Sequence, residues 1–421
     1  MRRSTVFGLM AAAYGTAFGQ AGLEVAPLQQ QSPVQAQQRF IDDGDVFHVY
    51  VSQGLRYDSN VFRLADDTHP EGKDHQDDWI SQTSAGLDFN KQFGRQRVYG
   101  FVGGSLVRFS DFDQLDYNST SIRAGWTTGF GSDSTASLKY QNYRAPMDIA
   151  DRVNRSLNMV TDNRLLADAA VRVAGPWMVV GGVIGARSRN SADDAKGGDN
   201  DSFSAEAGVR YAPRTDNYVD LRFRQSKYDY VNVLAPDTGG DPSSGGDNSY
   251  KQSEWRVSAL YEPTGVSTFD GYVAWQRREH DHLASRDFSG WSGQLNYTWN
   301  VTTITALKFQ VYRELGAIND ASATYARTTG ASFRPYWQAT SKIALSALLD
   351  YRKRQYTGNQ AAGSTLPQRK ENTWTLGVNA DWQITRNWLI QASLASAHRN
   401  ANVAADSYDD VLAFANVRYR F

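Results

Sequence analysis

The sequence predicts an all-β chain, a transmembrane, antiparallel, up-and-down β-barrel of about 18 strands. Three observations predict it. Apolar residues recur at every second position in segments of roughly 11 to 14 residues, longer than the ~5–6 usual for a globular strand. Such segments are long enough to cross a membrane on a tilt. They are joined alternately by tight turns and by long polar loops, as in outer-membrane barrels. The chain also begins like an exported protein and ends on an aromatic residue in step with the apolar face, Phe421.

Arg2 and Arg3 form a positive n-region, and Val6 to Phe18 a short apolar stretch. Ala17-Phe18-Gly19 reads as a cleavage site that leaves Gln20 as the new N-terminus. Residues 1–19 are therefore expected to be a signal peptide; the alternative is a buried N-terminal helix. Residues 20–45 carry Gln29-Gln30-Gln31 and Gln35 to Gln38 and almost no apolar periodicity, which predicts a disordered periplasmic lead-in. After residue 19 no run approaches the ~18 apolar residues of a spanning helix. The barrel is expected over 46–421.

Strand starts are predicted near Val46, Trp79, Gln96, Asp116, Ser134, Asn158, Pro176, Ser202, Asn217, Tyr250, Ser267, Arg286, Thr302, Ser322, Ser341, Arg369, Asn387 and Asp410. Because such boundaries carry an error of about 2–4 residues, counts of about 16 to 20 strands stay open. The last segment shows the pattern most plainly. Val411, Ala413, Ala415, Val417, Tyr419 and Phe421 share one face, and Arg418 and Arg420 lie on the other. Trp255, Val257, Ala259 and Tyr261 alternate in the same way, as do Trp374, Leu376, Val378, Ala380 and Trp382. Aromatics near segment ends, such as Trp291 and Trp299, fit interfacial girdles. Tyr419 and Phe421 resemble the terminal signal that the barrel assembly machinery recognises.

Tight turns are read at Gln92–Arg95, Phe130–Asp133, Gly175-Pro176, Arg214–Asp216 and Thr385–Asn387. Long loops are read at 58–78, 144–157, 190–201, 230–249, 355–368 and 400–409. In this register both ends of the barrel fall on the periplasmic side.

If the apolar stripe faces lipid, the other face lines a watery bore. The alternation assigns Arg56, Arg108, Arg123, Arg172, Arg187, Arg210, Arg222, Arg224, Arg256, Arg278, Lys308, Arg352 and Arg418 to that bore, with Lys139 and Arg420. Arg189 and Arg354 are placed there or at the rim. The inward acids are Asp88, Asp168, Glu206, Asp220, Glu262, Asp350 and Asp381, so cations exceed acids by roughly two to one in this assignment. Two readings stand side by side. The charges brace the wall as ion pairs, or their excess draws anionic solutes through the pore. Tyr272 and Tyr312 are read as faces for sugar rings or as simple filling.

Composition narrows the function. With no cysteine among 421 residues there is no disulfide scaffold, thiolate metal site, cysteine nucleophile or acylated lipoprotein. Lys plus Arg at 44 against Asp plus Glu at 45 excludes the basic balance of a nucleic-acid binder. A mean hydropathy of -0.54 is compatible with a barrel, where only alternate strand residues meet lipid. The predicted loops are acidic, with Asp66-Asp67, Asp74, Asp77-Asp78, Asp237, Asp241 and Asp247. Asp193 to Asp201 superficially resembles a calcium loop but lacks its spacing and terminal Glu, so a solvated loop is expected. His280-Asp281-His282 is the best histidine cluster, without a third ligand of fitting spacing. No Gly-x-Ser-x-Gly or His-Glu-x-x-His occurs. The chain is expected to hold no metal or cofactor and not to be an enzyme.

Gly54 to Leu64 reads Gly-Leu-Arg-Tyr-Asp-Ser-Asn-Val-Phe-Arg-Leu. It resembles the Y-D-x-N-[VL]-[FY]-R segment of the beta-barrel porin 2 family, and more narrowly the EpsL-type outer-membrane proteins of exopolysaccharide operons. The resemblance implies a role in exopolysaccharide biosynthesis and export, as the outer-membrane exit; with the Arg-rich bore, the expected substrate is an anionic polysaccharide. A small-solute porin and a structural or adhesive barrel with a plugged lumen are the alternatives. Asp58 and Asn60 suit a turn. With Val61, Phe62 and Arg63 they anchor a loop on the rim or fold inward as a constriction. The expected partners are outer-membrane lipid and lipopolysaccharide, the polysaccharide, the assembly machinery and a periplasmic export protein.

Overall fold

The computed structural model describes residues 46–66, 68–131, 133–151, 155–214, 217–232, 247–320, 323–357 and 368–421. The predicted signal peptide and lead-in, Asp67, Asp237, Asp241 and most of the loops at 230–249 and 355–368 lie outside them. The described residues form eighteen strands. They are β1 (Phe47–Asp58), β2 (Asp78–Phe93), β3 (Gln96–Phe109), β4 (Tyr117–Phe130), β5 (Ser134–Pro146) and β6 (Met159–Ala174). Next come β7 (Trp177–Asn190), β8 (Asn200–Arg214), β9 (Asn217–Tyr230), β10 (Tyr250–Thr264), β11 (Ser267–His280) and β12 (Phe288–Thr302). The last are β13 (Thr305–Asp320), β14 (Ala323–Gln338), β15 (Ile343–Thr357), β16 (Lys370–Gln383), β17 (Trp388–Ala401) and β18 (Tyr408–Arg420).

Every strand pairs antiparallel with its neighbours in the chain, and β18 pairs with β1 from Tyr50↔Arg420 to Asp58↔Leu412. The sheet is therefore a closed cylinder with no free edge to recruit another chain. Each strand begins within three residues of its predicted start. The predicted start at Ser322 is itself undescribed, with β14 opening at Ala323. Strands run from 12 residues in β1 to 16 in β6 because several continue past the apolar belt into the long-loop rim.

Turns at one rim are short. Gly94, between β2 and β3, takes φ +61, a left-handed conformation that a side chain disfavours. The opposite rim carries the longer connections. One exception there is the tight β13–β14 hairpin, paired to Asp320↔Ala323. Beside it the β12–β13 ladder is paired only from Gly293↔Arg313 downward.

The apolar face points outward. Val49, Val51 and Leu55 of β1, Val102 and Leu106 of β3, and Trp374, Leu376 and Val378 of β16 are all exposed. Near the short-turn rim, Phe47, Phe93, Phe130, Trp177, Tyr211, Trp299, Trp382 and Trp388 form an outward aromatic belt. The largest buried apolar cluster sits at the other rim. Val61 and Phe62 of the β1–β2 loop pack there with Ile80, Val107, Phe112 and Leu115. The Phe62 and Phe112 rings meet edge-on at 5.0 Å.

Candidate functional site

The observed register sorts the predicted lining residues. Arg56, Arg123, Arg172, Arg210, Arg222, Arg224, Arg256, Arg278, Lys308, Arg352 and Arg418 stand on the positions alternating with the lipid-exposed apolar side chains, as do Tyr272 and Tyr312. Lys139 and Arg354 also face inward. Two predicted lining residues do not. Arg108 shares the outward face of Val102 and Leu106, and Arg187 that of Trp177, Val179 and Val183. Arg189 follows Arg187. The pattern misled because β3 and β7 carry apolar residues on both faces: Val107 is buried under the rim cluster, and Met178 and Val180 face inward.

The expected two-to-one cation excess is also corrected. Asp162, Glu254, Asp270, Glu314, Glu371 and Asp410 take inward positions that the alternation did not assign, and make the excess smaller than two to one. Arg97, Arg164, Arg334 and Arg399 are further inward cations.

The wall formed by β8–β11 is locked. Arg210 makes a bidentate pair with Asp220 at 2.5 and 2.7 Å. Arg222 joins Glu206 at 2.6 Å and Asp220 at 3.0 Å, and Arg224 reaches Glu206 at 2.6 Å. Arg256 pairs with Glu254 at 2.8 Å and lies 4.5 Å over the ring of Tyr272. Arg278 bonds Gln252 at 2.9 Å and covers Tyr250 at 4.0 Å. These arginines are between 2 and 8% exposed; four of them are paired with carboxylates, and Arg278 is held by an amide and aromatic rings.

The wall formed by β2–β6 differs. Most of its inward side chains are at least partly open, and Arg123 and Tyr143 are exposed although they point away from lipid. An inward side chain is accessible only if empty bore lies beside it. Arg123 stacks 4.8 Å from Phe101, Phe101 lies parallel to Tyr50, and Arg418 caps Tyr50 at 4.7 Å. Among the described residues neither Arg123 nor Arg418 makes an ion pair; Asp88 is the carboxylate that faces both. Glycines let the aromatic rings lie flat on this wall. A Cβ at Gly125 would stand 2.2 Å from the ring of Tyr99.

At the long-loop mouth the Tyr-Asp-x-Asn-x-Phe-Arg segment is an anchor. Arg63 pairs with Asp58 at 2.8 Å and with Asp410 at 3.3 Å, joining the two sides of the β1–β18 seam. The Asn60 side chain donates to the carbonyls of Leu64 and Asp409 and accepts from the Leu64 amide. Burial alone would lower the Arg63 pKa; Asp58 and Asp410 outweigh it and hold the guanidinium well above its ordinary value. Phe62 points into the rim cluster. A second tie crosses part of the mouth. Arg155, in the β5–β6 loop, pairs with Asp406 of the β17–β18 loop at 3.1 Å. Asp406 also meets Arg369 at 3.5 Å. No local sequence signal marks Arg155 or Asp406, because their contact spans 251 positions.

The histidine pair separates. His280 ends β11 and bonds Asp287, while His282 faces Asp247 at 3.6 Å. Asp199 accepts from Asn190 and Asn232, and Asp193 pairs with Lys196. Among the described residues no cluster of three or more metal-ligand types converges.

The family described as "Putative beta-barrel porin 2" matches residues 188–421, from the end of β7 to the C-terminal residue. No curated protein matches the sequence. Among solved structures, Pseudomonas aeruginosa OpdQ is similar at 14% identity over 91% of this chain and 99% of that one, with a TM-score of 0.48. OpdK from the same organism, solved with vanillate, shares 9% identity over 89% and 99%, with a TM-score of 0.49. A BenF-like porin from Pseudomonas fluorescens Pf-5 shares 10% over 91% and 100%, with a TM-score of 0.47.

Proposed function

The chain belongs to the beta-barrel porin 2 family, and from that premise we propose that this outer-membrane, porin-like channel is the exit for a secreted anionic exopolysaccharide. The motif at Gly54–Leu64 supports the polysaccharide by its resemblance to EpsL-type proteins. The observation that carries the anionic, passive part of the reading is the division of the lining. Arg210, Arg222, Arg224 and Arg256 are buried against carboxylates, whereas Arg123 faces open bore beside Tyr143, with Arg418 on the same strip. Hydroxyls and guanidinium groups along a wet wall make weak, replaceable contacts with a hydrated acidic polymer. It is then neither excluded nor held. Residues 1–19 would direct export, Tyr419 and Phe421 would serve the assembly machinery, and a periplasmic protein would deliver the polymer to the short-turn rim.

A small-solute porin is the second reading, favoured by the Arg155–Asp406 tie between the β5–β6 and β17–β18 loops at the mouth. The two separate in planar bilayers. The export reading expects anion selectivity that falls in the Arg123→Gln/Arg418→Gln double variant, and current blockade when an acidic polysaccharide is added from the periplasmic side. Selectivity that falls without any polymer blockade would leave the small-solute porin. A barrel with no conductance would be the plugged, adhesive one.

A further inference from the structure

The outward face of the barrel differs between its two rims. At the short-turn rim, lipid-exposed Phe93, Phe130 and Trp177 stand at the ends of β2, β4 and β7, and Tyr211 three residues before the end of β8. At the long-loop rim the outward positions of β3–β7 turn polar and cationic above Leu106, Ile122, Tyr140, Leu165 and Val183. Asn142 and Asn163 bond to one another there at 2.7 Å. Arg187 stands beside Asn163 in the ladder, with Arg108, Arg144 and Arg189 toward the rim.

A cavity of about 450 Å³ opens among Arg108, Asp116, Asn118, Arg144, Met159 and Ser191. Arg108 is fixed at its side by the Tyr117 carbonyl at 3.1 Å and the Asn118 side chain at 3.0 Å, with Asp116 at 3.5 Å. Arg144 is exposed and has one long contact, to the Asn118 carbonyl at 3.4 Å. Arg144 pairs across the sheet with Thr161, and Thr161 with Arg189, so these two cations are separated by two strand spacings, about 10 Å. Asp201 is shared by Arg187 and Arg189 at 3.0 and 2.7 Å. Four arginines thus face two carboxylates, Asp116 and Asp201, on a surface immediately above lipid.

We propose that this rim of β3–β7 is a binding site for the phosphorylated sugar head of the outer-leaflet glycolipid, lipopolysaccharide, with Arg108 and Arg144 holding one phosphate in the cavity. A leaflet of headgroups without net charge gives no reason for this cluster of outward cations at the long-loop rim of β3–β7. A leaflet of phosphorylated glycolipid does, because guanidinium groups bind phosphate by parallel hydrogen bonds while Asn and Thr suit sugar hydroxyls. The acyl chains would then lie along the exposed apolar positions below. The site is on the outside of the wall, so it does not depend on what passes through the bore.

The test uses the full barrel in phosphatidylcholine nanodiscs with and without lipid A, read as the unfolding temperature. Lipid A should raise the wild-type midpoint by several degrees. The Arg108→Gln/Arg144→Gln double variant should lose more than half of that gain. Arg277→Gln, an outward arginine paired with Glu279 on a different part of the wall, should keep it. Dephosphorylated lipid A should give little gain, and inorganic phosphate at millimolar concentration none. Equal gains in the wild type and the double variant, or from dephosphorylated lipid A, would overturn the site. A full gain from inorganic phosphate would overturn the glycolipid as its occupant. If the double variant does not fold, Arg144→Gln alone decides, since its side chain makes a single contact at 3.4 Å.

Discussion

Arg63 shows how much one residue of a short motif carries. It is 5% exposed, sits at φ +55, and faces two carboxylates, Asp58 and Asp410, from strands at opposite ends of the chain. A bulky residue tolerates a left-handed backbone only where its surroundings enforce it. Here the enforcement is ionic: without Arg63 the two buried acids would repel across the β1–β18 seam. Arg63→Met keeps the length and removes the charge. It should cost about 3–5 kcal/mol, as expected for breaking a buried pair from one side. The loss should appear as a lower temperature for conversion of the folded to the unfolded band in gel electrophoresis. An unchanged transition would show that Asp58 and Asp410 are accommodated without a cation. Asn60 does the neighbouring work by closing the turn through Leu64.

The elements were far more legible than the contacts between loops. Period-two hydropathy and turn residues place all eighteen strands, because a membrane strand must alternate between lipid and bore regardless of its partners. Legibility failed where that rule is relaxed. β3 reaches the outer rim with Val107 covered by the loop cluster, and β7 begins at the short-turn rim with Met178 and Val180 facing inward beside outward Trp177 and Val179, so Arg108 and Arg187 were assigned to the wrong side. Acids were missed at segment edges, where Glu254 precedes the readable run from Trp255 and Asp410 opens the last one. The loop tie was invisible, because ion pairing between Arg155 and Asp406 has no period. Burial lowers the Arg155 pKa while Asp406 raises it, a balance that only the assembled mouth sets. If this tie holds the β5–β6 loop across the opening, Asp406→Asn should raise single-channel conductance or lengthen open events. Conductance identical to wild type would mean that the loop narrows nothing.

At the scale of the whole barrel, charge is divided between two walls, and the division changes what substitution of an arginine should do. Sequence alternation treats Arg123, Arg222 and Arg224 alike, as cations of one bore. The structure separates them by access to water. Arg222 and Arg224 clasp Glu206 at 2.6 Å each, and all three side chains are at most 10% exposed. With Asp220 and Arg210 the cluster holds three cations against two buried carboxylates, so most of their charge is offset at short range and a passing anion meets a reduced field. Arg123 has no such partner among the described residues and is open to the lumen. Neutralising Arg224 should therefore act on stability. Arg224→Gln removes one of the two cations on buried Glu206 and leaves Arg222, at a cost of about 1.5–3 kcal/mol, seen as a lower unfolding temperature in detergent. The reversal potential in a salt gradient should stay within error of the wild type. Arg123→Gln should do the opposite, moving the reversal potential toward that of a non-selective pore while leaving the unfolding temperature nearly unchanged. If Arg224→Gln shifts selectivity as much as Arg123→Gln, the bore has no passive wall, and the field of every inward arginine reaches the permeant ion.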